Sequence, residues 1–164
     1  MNNLMLKVIK YLCFYLLLSL PLFTWADGKF VTVKVNVLSG GCVLNDNEAI
    51  FVDFGDDIVI SQIDSGKYIE AIDYDLYCDS NFDELYLIFD GVQGETANSL
   101  DVADTPGLNI KLFIDNKPMV IGNRYYIDNY SNLPTLTAEL ALANGIRPVG
   151  GEFSTAATLT VGYH

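Results

Sequence analysis

"GGEFSTAATLTVGYH", residues 150–164, closes the chain. From Gly151 the odd positions read Gly, Phe153, Thr155, Ala157, Leu159, Val161, Tyr163, and the even ones Glu152, Ser154, Ala156, Thr158, Thr160, Gly162, His164. Successive side chains of a strand point to opposite faces, so this stretch predicts a strand with one largely apolar face and one small or polar face. The alternation runs to the penultimate residue, although chain ends ordinarily fray. A strand patterned that far calls for a partner along its whole edge, because a long bare edge is a template for unwanted pairing.

The same period recurs upstream. "FVTVKVNVL" sets Val31, Val33, Val35 and Val37 on one face and Thr32, Lys34 and Asn36 on the other. "AIFVDFG", "KYIEAIDYDLYC", "ELYLIFDG", "LNIKLFIDN", "MVIGNRYYI" and "LTAELALAN" follow, separated by Gly, Asn, Asp and Pro. In "KYIEAIDYDLYC" Tyr68, Ile72, Tyr74, Leu76 and Cys78 share a parity that Glu70 interrupts. "LTAELALAN" is the one run whose Leu, Ala and Glu also suit a helix. Roughly eight short strands at this spacing predict an all-β fold, an antiparallel sandwich of immunoglobulin-like kind in one domain.

Residues 1–26, "MNNLMLKVIKYLCFYLLLSLPLFTWA", stand apart: Lys7 and Lys10, an apolar run from Tyr11 to Leu20, Pro21, and a small residue at Ala26. That order is a secretory signal peptide cleaved after Ala26. The alternative, a membrane anchor, meets an apolar stretch that is somewhat short for a span. The remaining 138 residues, 164 less 26, suffice for one domain with a core. They carry seven basic residues against 21 acidic ones, a balance of −14. Nucleic acid and anionic lipid need a basic face, so neither is expected as a partner. No membrane span is expected in the mature chain either.

Cys13 leaves with the signal, and Cys42 and Cys78 remain. Two cysteines in an exported domain read as one disulfide across a separation of 36. The zinc alternative lacks ligands: the single histidine is the last residue and there is no CxxC. No cofactor or metal is expected. Catalysis has little to work with, since a Ser–His or Cys–His pair would have to use His164. Carboxylate pairs such as Asp53 with Asp56 and Asp57, or Asp73 with Asp75, could serve a glycosidase. Among 21 acids some close pair is unavoidable, so the expectation is a protein that is not an enzyme. "DFGDD" and "LNDNE" do not follow the ordered ligand spacing of a calcium loop.

The two ends of the mature chain carry the functional signal. Val31 to Val37 would form a strand about 20 Å long. Ser39-Gly40-Gly41 then separates it from Cys42 as a flexible hinge, which would let the strand leave its own domain. Periodicity alone is equally served by an ordinary first strand. The closing segment, however, resembles the C-terminal motif of pilus subunits of the chaperone–usher route: a glycine fourteen residues from the end, alternating hydrophobics, a penultimate tyrosine. Gly151, Phe153, Leu159, Val161 and Tyr163 match it. "PGLNIKLFIDNKPMVIG" resembles the family's strand, Asp/Asn turn and proline, and "IFVDFG" resembles the same region of P-pilus tip adaptors. Cys42 and Cys78 stand where the family's disulfide is expected.

The resemblance implies a sandwich that lacks its last strand and is completed by a donor strand from a neighbouring molecule. It divides the chain into signal peptide 1–26, donor extension and hinge 27–41, and pilin domain 42–164. Val31, Val33, Val35 and Val37 would be the donor strand. Gly151, Phe153, Thr155, Ala157, Leu159, Val161, Tyr163 and His164 would form the accepting strand, engaged first by a periplasmic chaperone and then by the next subunit's extension. Strand addition of this kind, with chaperone–pilin complementation among its known instances, draws affinity from main-chain hydrogen bonds. The implied partners are that chaperone, an outer-membrane usher, and neighbouring subunits or a tip adhesin. The implied location is a fimbrium on the bacterial surface, reached through the periplasm, and the implied role is a minor structural subunit such as a tip adaptor. The family usually has a glycine where this chain has Val35, which implies a roomier pocket in the accepting subunit. The competing expectation is a self-sufficient secreted sandwich that binds a carbohydrate or protein ligand.

Overall fold

A computed structural model of the chain describes residues 30–37, 41–79, 82, 84–128 and 132–163, and within 30–37 the side chains of Thr32, Val33 and Lys34. The expected signal peptide, residues 27–29, the hinge residues 38–40 and His164 lie outside the described residues. Twelve strands occur among the described residues: β1 Phe30–Val37, β2 Cys42–Leu44, β3 Ile50–Asp53, β4 Ile69–Ala71, β5 Leu76–Cys78, β6 Leu85–Gly91, β7 Ser99–Asp101, β8 Leu108–Ile114, β9 Lys117–Pro118, β10 Tyr125–Ile127, β11 Leu136–Leu142 and β12 Thr155–Tyr163. One sheet runs β10-β6-β12-β1-β3 and the other β4-β11-β8-β7, with β9 beside β8; β2 and β5 form a separate ladder. The two larger sheets pack as a sandwich.

The alternation read in the sequence becomes burial. Leu108, Ile110, Leu112 and Ile114 of β8 face Leu136, Ala138 and Leu140 of β11 in an antiparallel register. From the other sheet come Leu87 and Phe89 of β6 and Leu159 and Val161 of β12, all almost wholly removed from water. "LTAELALAN" is a strand: its alternate apolar positions decide over its helix propensity, because they fit a half-buried pleat. Asp115 and Asn116 both take left-handed φ between β8 and β9, the backbone a tight two-residue hairpin turn requires. Asp115 then anchors Thr135, whose N–H and hydroxyl both donate to its carboxylate.

"KYIEAIDYDLYC" departs from the single strand its parity suggests. It divides into β4, which pairs with β11, and β5, which pairs with β2. Between them the Ile72 N–H bonds to the Leu136 carbonyl and the Tyr74 hydroxyl donates to the Pro134 carbonyl at 2.8 Å, so the chain keeps its inward face while changing partners. Burial, and then the Asp115 charge, push the Tyr74 hydroxyl pKa well above the tyrosine range. In "MVIGNRYYI" only β10 is a strand; Met119 is buried and Gly122, at positive φ, turns the chain. The closing strand starts at Thr155, four residues later than the alternation suggests, because Gly150 and Gly151 are exposed and lie away from the sheet. Cys42 and Cys78 are disulfide-bonded across the β2–β5 ladder, where they are direct register partners.

Candidate functional site

β12 lies at the centre of its sheet, between β6 and β1. Its pairing with β6 is antiparallel and sets Ala157, Leu159 and Val161 opposite Gly91, Phe89 and Leu87. On its other side β1 runs parallel to it, the one parallel pairing among the described strands. Here the register sets Val31 against Thr155, Val33 against Ala157, Val35 against Leu159 and Val37 against Val161. Beyond β1, β3 is antiparallel, with Val33 opposite Ile50 and Val31 opposite Val52. β3 has no other strand partner among the described elements. Residues 30–37 therefore occupy a slot between the last strand and β3, and Val33 is 1% exposed there.

The sequence leads one to expect that slot to await a neighbour's strand, yet the single chain fills it with its own β1. The physical reason is the slot itself. Ala157, Leu159 and Val161 on one wall and Ile50 and Val52 on the other are buried residues, and β12 and β3 would both carry unpaired backbone groups if it were empty. In an isolated chain β1 is the strand at hand.

The predicted accepting residues differ in role. Phe153 is buried just before β12, whereas Gly151 is exposed with no atom near its α-carbon substituent position. Ala157, Leu159 and Val161 face the core; Thr155 is half-buried, and its hydroxyl donates to the Asp101 carbonyl at 2.8 Å. Tyr163 is half-exposed and its ring lies 4.1 Å from that of Phe82, a contact the sequence did not announce. His164 falls outside the described residues.

A second contact missed in the sequence is Gly162. It pairs with Tyr86 of β6, and any β-carbon on it would clash with the Tyr86 ring edge and hydroxyl. That ring also carries the Arg124 guanidinium at 4.7 Å and meets Tyr126 edge-on at 5.8 Å. The signal was present as the lone glycine on the outward face of the alternation. Gly162→Val should cost roughly 1–3 kcal/mol through overpacking, read as a lower urea midpoint with an unchanged m-value. Thr160→Val, one step along the same face, should leave the midpoint nearly where it was.

Solved structures that share this architecture include two pilus subunits. One is the P pilus adaptor subunit PapF, 20% identical with a TM-score of 0.58, the match covering 76% of this chain and 97% of that one. The other is the P pilus rod subunit PapA, 21% identical with a TM-score of 0.56, covering 76% and 100%. The fold is that of a pilus subunit. No protein-family model and no curated protein matches the sequence. No helix among the described residues is long and apolar enough to cross a membrane.

Proposed function

We propose that this protein is a structural subunit of a bacterial surface pilus, assembled when its N-terminal strand leaves its own slot and completes a neighbour's sheet. The observation that carries this reading is the slot beside β12, which residues 30–37 fill in register with the strand bearing the terminal motif. Two features favour transfer of that strand. A parallel ladder is slightly weaker per residue than an antiparallel one. A strand arriving from another molecule is free of the short tether through residues 38–41 and can run in the stronger direction.

On this reading residues 1–26 are the export signal, 27–41 the donor extension and hinge, and 42–164 the accepting domain. A periplasmic chaperone holds the slot before assembly and an outer-membrane usher receives the subunit. Val31, Val33, Val35 and Val37 are the donor residues and Phe153 to Tyr163 the accepting edge, with His164 at its end. Head-to-tail pairing of this kind does not close on itself, so it gives a filament. A minor position such as tip adaptor suits Val35, whose bulk asks for a roomy pocket in the acceptor.

The test is to concentrate purified mature chain, residues 27–164, and follow it by light scattering and electron microscopy. Linear polymers are expected, and an excess of a peptide of residues 27–38 should shorten them by filling the slots of growing ends. A chain that stays monomeric at every concentration, with or without its export chaperone, would favour the second reading. That reading, a self-contained secreted sandwich with a binding role, draws its support from the completion of the sheet by the chain's own β1.

A further inference from the structure

Away from the slot, on the outer face of the β7–β8–β11 sheet, a cleft of about 250 Å³ lies between the loop after β6 and the turn after β11. Its floor is Asn109 and Lys111 of β8, which project outward between Asp101 and Ser99 of β7 and Ala141 and Glu139 of β11. Asn109 is only 4% exposed, because the loop folds over it. Its Oδ1 accepts the Glu95 N–H at 3.3 Å, and a β-carbon on Gly94 would strike that oxygen, so glycine there lets the loop close on the amide. The acceptor bond fixes the orientation of the amide and leaves Nδ2, with two N–H groups, without an acceptor among the described residues. Among the described residues no buried side-chain nitrogen or oxygen lacks a partner, so Nδ2 is open to the cleft and offers its two N–H groups to whatever enters it.

The walls supply acceptors. Both Glu95 carboxylate oxygens receive bonds from Asn144, from its N–H and its Nδ2, each at 2.9 Å. Asp64 Oδ1 receives the Leu142 N–H at 3.0 Å. These bonds hold the carboxylates in place and leave lone pairs to spare, since each carboxylate offers about four acceptor sites. Lys111 makes no ion pair among the described residues. The mixture of charges restricts what can enter. Lys111 opposes a cation, and no cluster able to hold a metal ion occurs among the described residues. Asp64 and Glu95 oppose an anion, and the polar lining opposes an apolar ligand.

We propose that this cleft binds a neutral polyhydroxyl ligand, a single saccharide residue, with Asn109 Nδ2 and Lys111 Nζ donating to it and Asp64 and Glu95 accepting from adjacent hydroxyls. The proposal stands on the cleft alone and does not depend on the pilus reading. Its size is just below the ~300 Å³ at which ordinary small-molecule pockets begin, which suits one sugar ring. In a fibre, many weak copies would act together.

The experiment titrates isotopically labelled mature chain with galactose, mannose, glucose and N-acetylglucosamine in turn and follows amide shifts. At least one sugar should perturb Asn109, Lys111 and Asn144 with a Kd on the order of 1 mM. Asn109→Asp, which keeps the acceptor for the Glu95 N–H but removes the amide donors, should weaken binding about tenfold or more, measured at a temperature where circular dichroism shows the variant folded. Lys111→Met should weaken it as well. Sugars that leave these amides unmoved, shifts produced instead by calcium chloride or sodium phosphate, or variants that bind like the parent would each overturn the proposal.

Discussion

A chain shortened to residues 42–164 is expected not to fold by itself, and to fold when a peptide of residues 27–38 is supplied. The expectation follows from what β1 covers. Without it a gap opens between β12 and β3, both strands lose a ladder along that edge, and the buried residues beside the gap meet water. Val33, 1% exposed, contributes about 1.5–3 kcal/mol by burial, and the ladders of β1 with β12 and β3 add hydrogen bonds worth ~1 kcal/mol each. Whole domains are stable by only about 5–15 kcal/mol. Loss of one strand is therefore comparable to the stability of the entire fold. Circular dichroism and urea titration of the shortened chain, with and without peptide, measure this. A cooperative transition from the shortened chain alone, at the midpoint of the full mature chain, would falsify the claim that the slot must be filled.

The second large effect is expected at Leu159. Its side chain is fully buried, opposite Phe89 on β6 and paired through the backbone with Val35 on β1, so it joins both neighbours of the closing strand. Leu159→Ala removes buried apolar volume at a place hemmed by Phe89 and Leu87, where little can collapse into the space. The loss should be about 2–5 kcal/mol. The outward Thr158→Ala, next door on the same strand, should change stability by less than roughly 0.5 kcal/mol. Equal effects at the two positions would mean that the alternation does not describe the faces of β12.

Much of this was readable from period-two patterning. The inward parity of Leu108 to Ile114 and of Ala157 to Val161 appears directly as burial, because each face of a strand meets one environment. The disulfide between Cys42 and Cys78 was legible from a count of two. What the pattern does not hold is partner identity. Four alternating valines fit a slot in their own molecule as well as one in another, and nothing in an alternation encodes whether a ladder is parallel. The break between β4 and β5 was hidden because the inward parity of Tyr68, Ile72 and Tyr74 continues through the change of sheet. β7 was missed because three residues within a turn-rich stretch are too few to show a period. Ile63, buried in the 3-10 turn Ile60–Ser65, was missed for the same reason.

Contacts between distant residues were the other loss. Tyr163 on Phe82 and Tyr86 over Gly162 depend on register, which one strand's sequence cannot give. Asn109 is instructive in the opposite sense. On parity it is an ordinary outward polar residue of β8, and only the loop carrying Gly94 and Glu95 turns it into a buried amide at the base of a cleft.

The central claim is that β1 is exchangeable. It is tested most directly by incubating the full mature chain with an excess of fluorescent peptide of residues 27–38 and weighing the complexes by native mass spectrometry. Stoichiometric uptake, one peptide per chain, with faster amide exchange in the chain's own residues 30–37, is the predicted result. No uptake over days, with residues 30–37 as protected as the strands of the core, would contradict it.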